Sequence, residues 1–139
     1  MRVPPAPLWL GGLAFAVCAT LNAGGYRYGA SDQAFYIPAI LHQLDPTLFP
    51  RDWAMLGAQG RFFFVDELGA MLVGWTGLTL PVWFALGQVA TLAALYAGAM
   101  AMGRTVLTTP WALAAWIAAL TLRHRIAKTG ANTLEGYFH

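Results

Sequence analysis

The sequence has few charged side chains: only 10% of its 139 residues are charged, whereas 58% are hydrophobic. So little polar side chain cannot cover a water-soluble globule of this size. The seven Arg and one Lys are spread through the connections between apolar stretches and form no basic stripe. The composition therefore argues against a soluble domain and against nucleic-acid binding. It predicts a membrane protein whose partners are lipids and other integral membrane proteins.

The motifs of common catalytic and cofactor sites are also missing. Cys18 is the single cysteine, which excludes an internal disulfide. There is no Cys-x-x-Cys pair, phosphate-binding glycine loop, His-Glu-x-x-His helix or Gly-x-Ser-x-Gly elbow. His42, His124 and His139 lie far apart, without the spacing of metal ligands. We therefore expect neither a metal nor a cofactor.

Long apolar runs dominate what is present. Residues 68–103 carry no charge, exceed the roughly 20 residues of one bilayer crossing, and are interrupted at Thr79-Leu80-Pro81. This pattern predicts two helices in the run, and one more apolar helix on each side of it. We expect an all-α polytopic membrane protein that forms a single membrane domain over residues 1–139. Its predicted transmembrane helices, about four in number, cover residues 8–23, 62–80, 82–103 and 105–122.

Basic residues near the two ends predict the orientation. Arg2 precedes the first helix, and a cluster of basic residues occupies 123–128 after the last one. The positive-inside rule then places the N-terminus and the tail 123–139 in the cytoplasm and the loop 24–61 outside. The expected location is the bacterial inner membrane. A cleaved signal peptide is the alternative interpretation of the first apolar stretch.

The loop at 24–61 holds half of the acidic side chains and several Pro and Gly breaks. Ser31 or Asp32 can cap a short helix that runs to Leu44. Asp45-Pro46 is a second helix start, because Asp caps free N–H groups and Pro loses no hydrogen bond in a first turn. Trp53 is an aromatic residue of the kind that lies at headgroup level. We expect a short helical loop against the membrane surface.

Small residues recur every four positions in two predicted helices. The first set is Gly12, Ala16 and Thr20; the second is Ala90, Ala94 and Gly98. Such stripes let another helix lie close, so we expect them to form helix-packing surfaces. The simpler explanation is that small residues are common in membrane helices.

Asp66 and Glu67 form an acidic pair inside the predicted second crossing. An unpaired charge there costs on the order of 2 to 3 kcal/mol, so two adjacent carboxylates need partners or a wet cavity. One interpretation makes them a functional site, such as the proton or cation site of a small transporter that works as an oligomer. The other places them at the headgroup boundary, where they are simply solvated.

The loop resembles the first external loop of polytopic GT-C-type glycosyltransferases. The resemblance rests on residues 26–33 (YRYGASDQ), Ile37-Pro38 and residues 44–52 (LDPTLFPRD), and residues 130–138 resemble a later connection in such proteins. In that superfamily the loop carries an acidic residue that acts as base or metal ligand when a lipid-linked sugar is transferred. The resemblance implies that Asp32 is the catalytic position, with Asp66 or Glu67 in support. Gln33 stands where many relatives have a second carboxylate.

Two functions follow as expectations. The first is a small multi-pass subunit with an accessory or structural role in a larger membrane complex, such as an energy-transducing one, and not catalytic by itself. It is favoured because GT-C enzymes have many more membrane helices than 139 residues supply. The alternative is the N-terminal portion of a GT-C-like glycosyltransferase that uses a lipid-linked sugar donor.

Overall fold

A computed structural model describes residues 8–30, 32–60 and 64–122 of the chain. These residues form six helices, which confirms the all-α prediction. The helices are α1 (Leu8–Asn22), α2 (Gln33–Leu44), α3 (Trp53–Gly60), α4 (Val65–Thr76), α5 (Leu80–Val106) and α6 (Pro110–Leu120). The predicted tail at 123–139 lies outside the described residues.

Among the described residues one helix, α5, is long and apolar enough to cross a membrane. Its 27 residues span about 40 Å at 1.5 Å per residue. Pro81 lies in the first turn, where a missing N–H costs nothing, and Arg104 lies in the last turn, where the helix dipole favours a positive charge. The helix begins two residues before the predicted range 82–103 and ends three residues after it. Among the described residues, α1 and α6 are shorter apolar helices.

The helices form two compact units, and the first contains α1, residues 88–106 of α5, and α6. Phe15 and Ala19 of α1 pack with Leu92 of α5 in its core. The Tyr96 hydroxyl donates a hydrogen bond to the carbonyl of Leu8 at 3.2 Å. Leu8, at the start of α1, contacts Tyr96 of α5. Ala19, near the end of α1, packs with Leu92, which comes earlier in α5. These two helices therefore run antiparallel.

Helix α6 returns along α5 in the same unit. The Trp116 indole donates to the carbonyl of Ala99 at 3.2 Å, and Gly103 lies against Leu113 and Trp116. Near the end of α6, the Asn22 amide donates to the carbonyl of Thr121 at 2.8 Å. Hence α6 is antiparallel to α5 and parallel to α1. Helix α6 covers Pro110–Leu120, whereas the sequence predicted 105–122. It begins later because Thr109 caps it. The Thr109 hydroxyl accepts a hydrogen bond from the Ala112 N–H at 3.2 Å.

The second unit contains α2, α3, α4 and the first turns of α5. Ile40, Ala70, Leu80 and Phe84 form its core, with partly buried side chains of α2 and α4 packed around them. Gly69 allows this close packing, because a Cβ there would lie 2.9 Å from Ile40 Cδ1. The region predicted as loop 24–61 is thus mostly helical and has a hydrophobic core.

Helix α4 differs from the predicted crossing at 62–80. It covers Val65–Thr76 and ends at Gly77, whose left-handed φ of 69° and N–H bond to Val73 form a helix C-cap. Twelve residues span about 18 Å, which is short of the roughly 30 Å of bilayer hydrocarbon. Residues 62–63, at the predicted start, lie outside the described residues.

The predicted helix start at Asp45-Pro46 is a turn in the structure. The Asp45 carboxylate accepts hydrogen bonds from the Thr47 N–H at 3.0 Å and from the Thr47 hydroxyl at 2.7 Å. These local bonds compete with helix formation. Helix α3 begins later, at Trp53.

Candidate functional site

Asp32 lies at the start of α2 and its side chain is exposed. It occupies the predicted cap position, but its carboxylate makes no cap hydrogen bond. Its backbone carbonyl accepts from the N–H groups of Phe35 and Tyr36, at 2.9 and 3.2 Å. The backbone of Asp32 is thus fixed by the helix, and its carboxylate remains at the surface of the second unit.

Gln33, next to Asp32, is fully buried at 0% exposure. Its Oε1 accepts a hydrogen bond from the N–H of Gly29 at 2.7 Å, across a turn in which Gly29 has a φ of 78°. This bond ties the turn before α2 to its first residue. Because adjacent helical residues point in different directions, burial of Gln33 goes with exposure of Asp32.

Sequence reasoning treated Gln33 only as the missing second carboxylate. The usable signal was its spacing: Gln33, Ile37 and Ile40 recur at intervals of four and three and share one face of α2. Ile40 is fully buried in the core of the second unit. A polar residue on such a face predicts a buried hydrogen bond.

The two acidic residues of α4 differ in exposure. Asp66 is 4% exposed, and its Oδ2 lies 3.5 Å from the Gln43 amide of α2. Its Oδ1 is buried without a hydrogen-bond partner. Glu67 is exposed. The two carboxyl groups thus differ in exposure, although Glu67 still interacts with Asp66 through its side chain.

Burial has an electrostatic consequence for Asp66. Loss of hydration raises the pKa of its carboxyl above the ordinary Asp value, and the adjacent Glu67 adds to the rise. The protonated form of Asp66 is therefore favoured more than in an ordinary Asp, and this form can donate a hydrogen bond.

An aromatic contact joins α2 to α3. The rings of His42 and Trp53 stack with centroids 4.1 Å apart, and His42 Nδ1 lies 2.5 Å from the carbonyl of Leu48. Within this connection, hydrogen bonds from Thr47 lower the pKa of the Asp45 carboxyl. Nothing in the spacing of His42 and Trp53 predicted the stack, since it depends on the turn at Asp45.

The predicted packing stripes have different surroundings. On α1, Gly12 lies against the ring of Tyr96, and Ala16 packs against the core of the first unit. On α5, Ala90 and Ala94 are exposed, and no heavy atom lies within 4 Å of a Cβ built at Gly98. The α5 stripe is therefore an open surface within the described part of the chain.

Among the described residues no group of three or more His, Cys, Asp or Glu side chains could hold a metal ion. Asp32 is thus one of several exposed acids in the described part of the second unit, where Asp66 is buried. No protein-family model, no curated protein and no solved structure matches this chain.

Proposed function

We propose that the chain is a multi-pass membrane protein in which α1, α5 and α6 lie in the bilayer. The length of α5 supports this, as do the large apolar side chains exposed on all three helices. They include Leu13, Val17 and Leu21 on α1, Val89, Leu95 and Met102 on α5, and Trp111 on α6. Lipid tails or other membrane helices can cover such a surface, whereas water cannot without a large cost.

The direction of the helices supports a particular topology. Because α1 and α5 run antiparallel, the segment between them, residues 27–79, begins and ends on the same side of the membrane if both helices cross. A single crossing by α4 would put the two ends of this segment on opposite sides, so α4 then lies on the same side as α2 and α3. The proposal therefore has three membrane helices, α1, α5 and α6, in the described part of the chain, where the sequence pattern favoured four.

Within this topology we propose that the chain forms the opening part of a GT-C-like glycosyltransferase that uses a lipid-linked sugar. The carrying observation is that Asp32 is exposed at the start of the first helix of a folded segment between two membrane helices. An acidic residue in the corresponding loop is what the resemblance implies for the catalytic base or metal ligand. Gln33, through its bond to Gly29, holds the backbone on which that acid is presented.

The test is sugar transfer by membranes that contain the full chain with Asp32→Asn. The donors are polyprenyl-phosphate sugars, and the readout is sugar released from the lipid or joined to an acceptor. Loss of a catalytic base should lower the rate about 100-fold or more. Asp52→Asn is the matched control, because Asp52 is exposed in the same segment. Unchanged transfer by the Asp32→Asn protein would rule out this role.

The accessory-subunit function remains a second candidate because the α5 stripe is open. A Leu at Gly98 would fill the space that a partner helix needs. We expect Gly98→Leu to release the chain from a larger complex in mild detergent, as measured by native mass or gel filtration. Ala93→Leu, on another face of α5, is the control. A wild-type chain that runs as a monodisperse monomer would count against this candidate.

A further inference from the structure

An apolar groove lies between α1, α5 and α6 in the first unit, with a volume of about 670 Å³. Small residues on two helices leave room for the groove. They are Gly11 and Ala14 on α1 and Ala114 and Ala118 on α6. The side chains around them, such as Phe15 and Met100, are also apolar. The groove is thus suited to a hydrocarbon chain.

One charged side chain lines this groove, that of Arg104 near the end of α5. The hydroxyl residues Thr108 and Thr109 lie beside it in the lining. Thr109 caps α6, so the positive end of that helix dipole is at the same end of the groove. This end therefore has the chemistry to attract an anion, while the rest of the groove is apolar.

The dimensions match one leaflet of a bilayer. Lining residues extend along α6 from Thr109 to Thr121, about 18 Å at 1.5 Å per residue. Half of a hydrocarbon core of roughly 30 Å is about 15 Å. Trp111 is 85% exposed beside the charged end, as expected for an aromatic residue at headgroup level. The charged end then lies at the headgroups and the apolar part among the lipid tails.

We propose that this groove binds a lipid with an anionic phosphate headgroup, its phosphate against Arg104 and one acyl chain between α1 and α6. A neutral partner helix in the groove would bury the guanidinium without a counter-charge, which is costly in a membrane. A zwitterionic lipid would bring its own cation next to Arg104. This lipid site depends on the proposed membrane location but not on sugar transfer, because its lining residues all belong to the first unit and Asp32 belongs to the second.

Native mass spectrometry of the full chain tests the proposal. The chain is extracted from membranes in mild detergent and titrated with phosphatidylglycerol or phosphatidylcholine. We expect one phosphatidylglycerol to be retained, and Arg104→Gln to weaken its binding about five- to tenfold. Arg51→Gln, at an exposed Arg of the second unit, should bind like the wild type. Arg104→Lys should keep part of the affinity, because the positive charge remains.

Cys18 gives a second measurement, since this single cysteine lines the groove. Bound phosphatidylglycerol should slow its reaction with a maleimide, and the slowing should disappear in the Arg104→Gln protein. Equal retention of the two lipids, unchanged binding after Arg104→Gln, or a second copy or partner helix in place of the lipid would each overturn the proposal. If the chain is not recovered from membranes at all, the proposed membrane location is wrong.

Discussion

Asp66 has one buried carboxylate oxygen without a hydrogen bond and one at a long distance from Gln43. A charge in this position costs free energy that one weak hydrogen bond does not offset. Because burial raises its pKa, the folded chain binds a proton here more tightly than the unfolded chain does. Stability therefore falls as pH rises from below the ordinary carboxyl pKa through the raised one.

We predict that Asp66→Asn stabilises the full chain at pH 7 by about 1–3 kcal/mol. The neutral amide has nearly the same shape and removes the cost of ionisation. The advantage should shrink as pH falls toward about 4, where an ordinary Asp becomes protonated. Thermal unfolding in detergent across this pH range measures the effect. Asp52→Asn, at an exposed side chain of the same unit, should change little; a less stable Asp66→Asn protein at pH 7 would contradict the prediction.

The sequence predicted the importance of some residues but not their surroundings. Asp66 and Glu67 are adjacent, so they were expected to act together, yet one is buried and the other exposed. Neighbouring residues of a helix point about 100° apart, and only the position of α2 decides which of them is covered. Gln33 lacked any catalytic signature, although its place on the apolar face of α2 indicated burial.

At the scale of helices, the contact between α5 and α6 depends on Gly103. A Cβ built there would lie 2.6 Å from Leu113 Cδ1 and 3.0 Å from Trp116 Cδ1. The Trp116 ring is also held by its hydrogen bond to Ala99, so it cannot move away freely. The two helices therefore pack closely only because residue 103 has no side chain.

We predict that Gly103→Ala destabilises the full chain by about 1–3 kcal/mol through overpacking. Gly98→Ala is the matched control on the same helix, because open space surrounds that position. Its effect should be neutral or stabilising by up to about 1 kcal/mol, since Ala favours a helix more than Gly does. Thermal unfolding in detergent, followed by circular dichroism, compares the two. Equal losses in both proteins would contradict the close contact.

Element boundaries were predictable where local chemistry sets them. Helix α1 ends one residue before its predicted limit, and α2 ends at Leu44 as expected. The end of α4 was missed because Thr79-Leu80-Pro81 looked like the only break, whereas Gly77 in a left-handed conformation ends the helix first. Apolar composition continues through Gly77, so hydropathy alone gave a crossing that was too long.

At the scale of the whole molecule, the direction of α5 relative to α1 decides the topology. Hydropathy identifies apolar stretches but does not say whether successive ones run parallel or antiparallel. The pairing of Leu8 with Tyr96 is a contact between residues 88 positions apart, and no local pattern encodes it. The sequence pattern therefore favoured four crossings, because it carries no information on the direction of α5.

Cysteine labelling distinguishes the two topologies. In a Cys18→Ser background, we predict that Ala30→Cys and Thr79→Cys react with a membrane-impermeant maleimide from the same side of sealed vesicles. Thr108→Cys should react from the opposite side, because one crossing by α5 separates it from Thr79. Reaction of Ala30→Cys and Thr79→Cys from opposite sides would show that α4 crosses the membrane, as the sequence pattern predicted.

The bond from Gln33 to Gly29 ties the candidate catalytic acid to the interior of the second unit. Asp32 makes no side-chain cap hydrogen bond, and its backbone is held through Gln33 by the core around Ile40 and Phe84. Warming that unfolds this small core would change the orientation of the Asp32 carboxylate at a temperature at which helix α5 is still folded. An enzyme built this way would lose turnover at a lower temperature than the one at which its helical signal disappears.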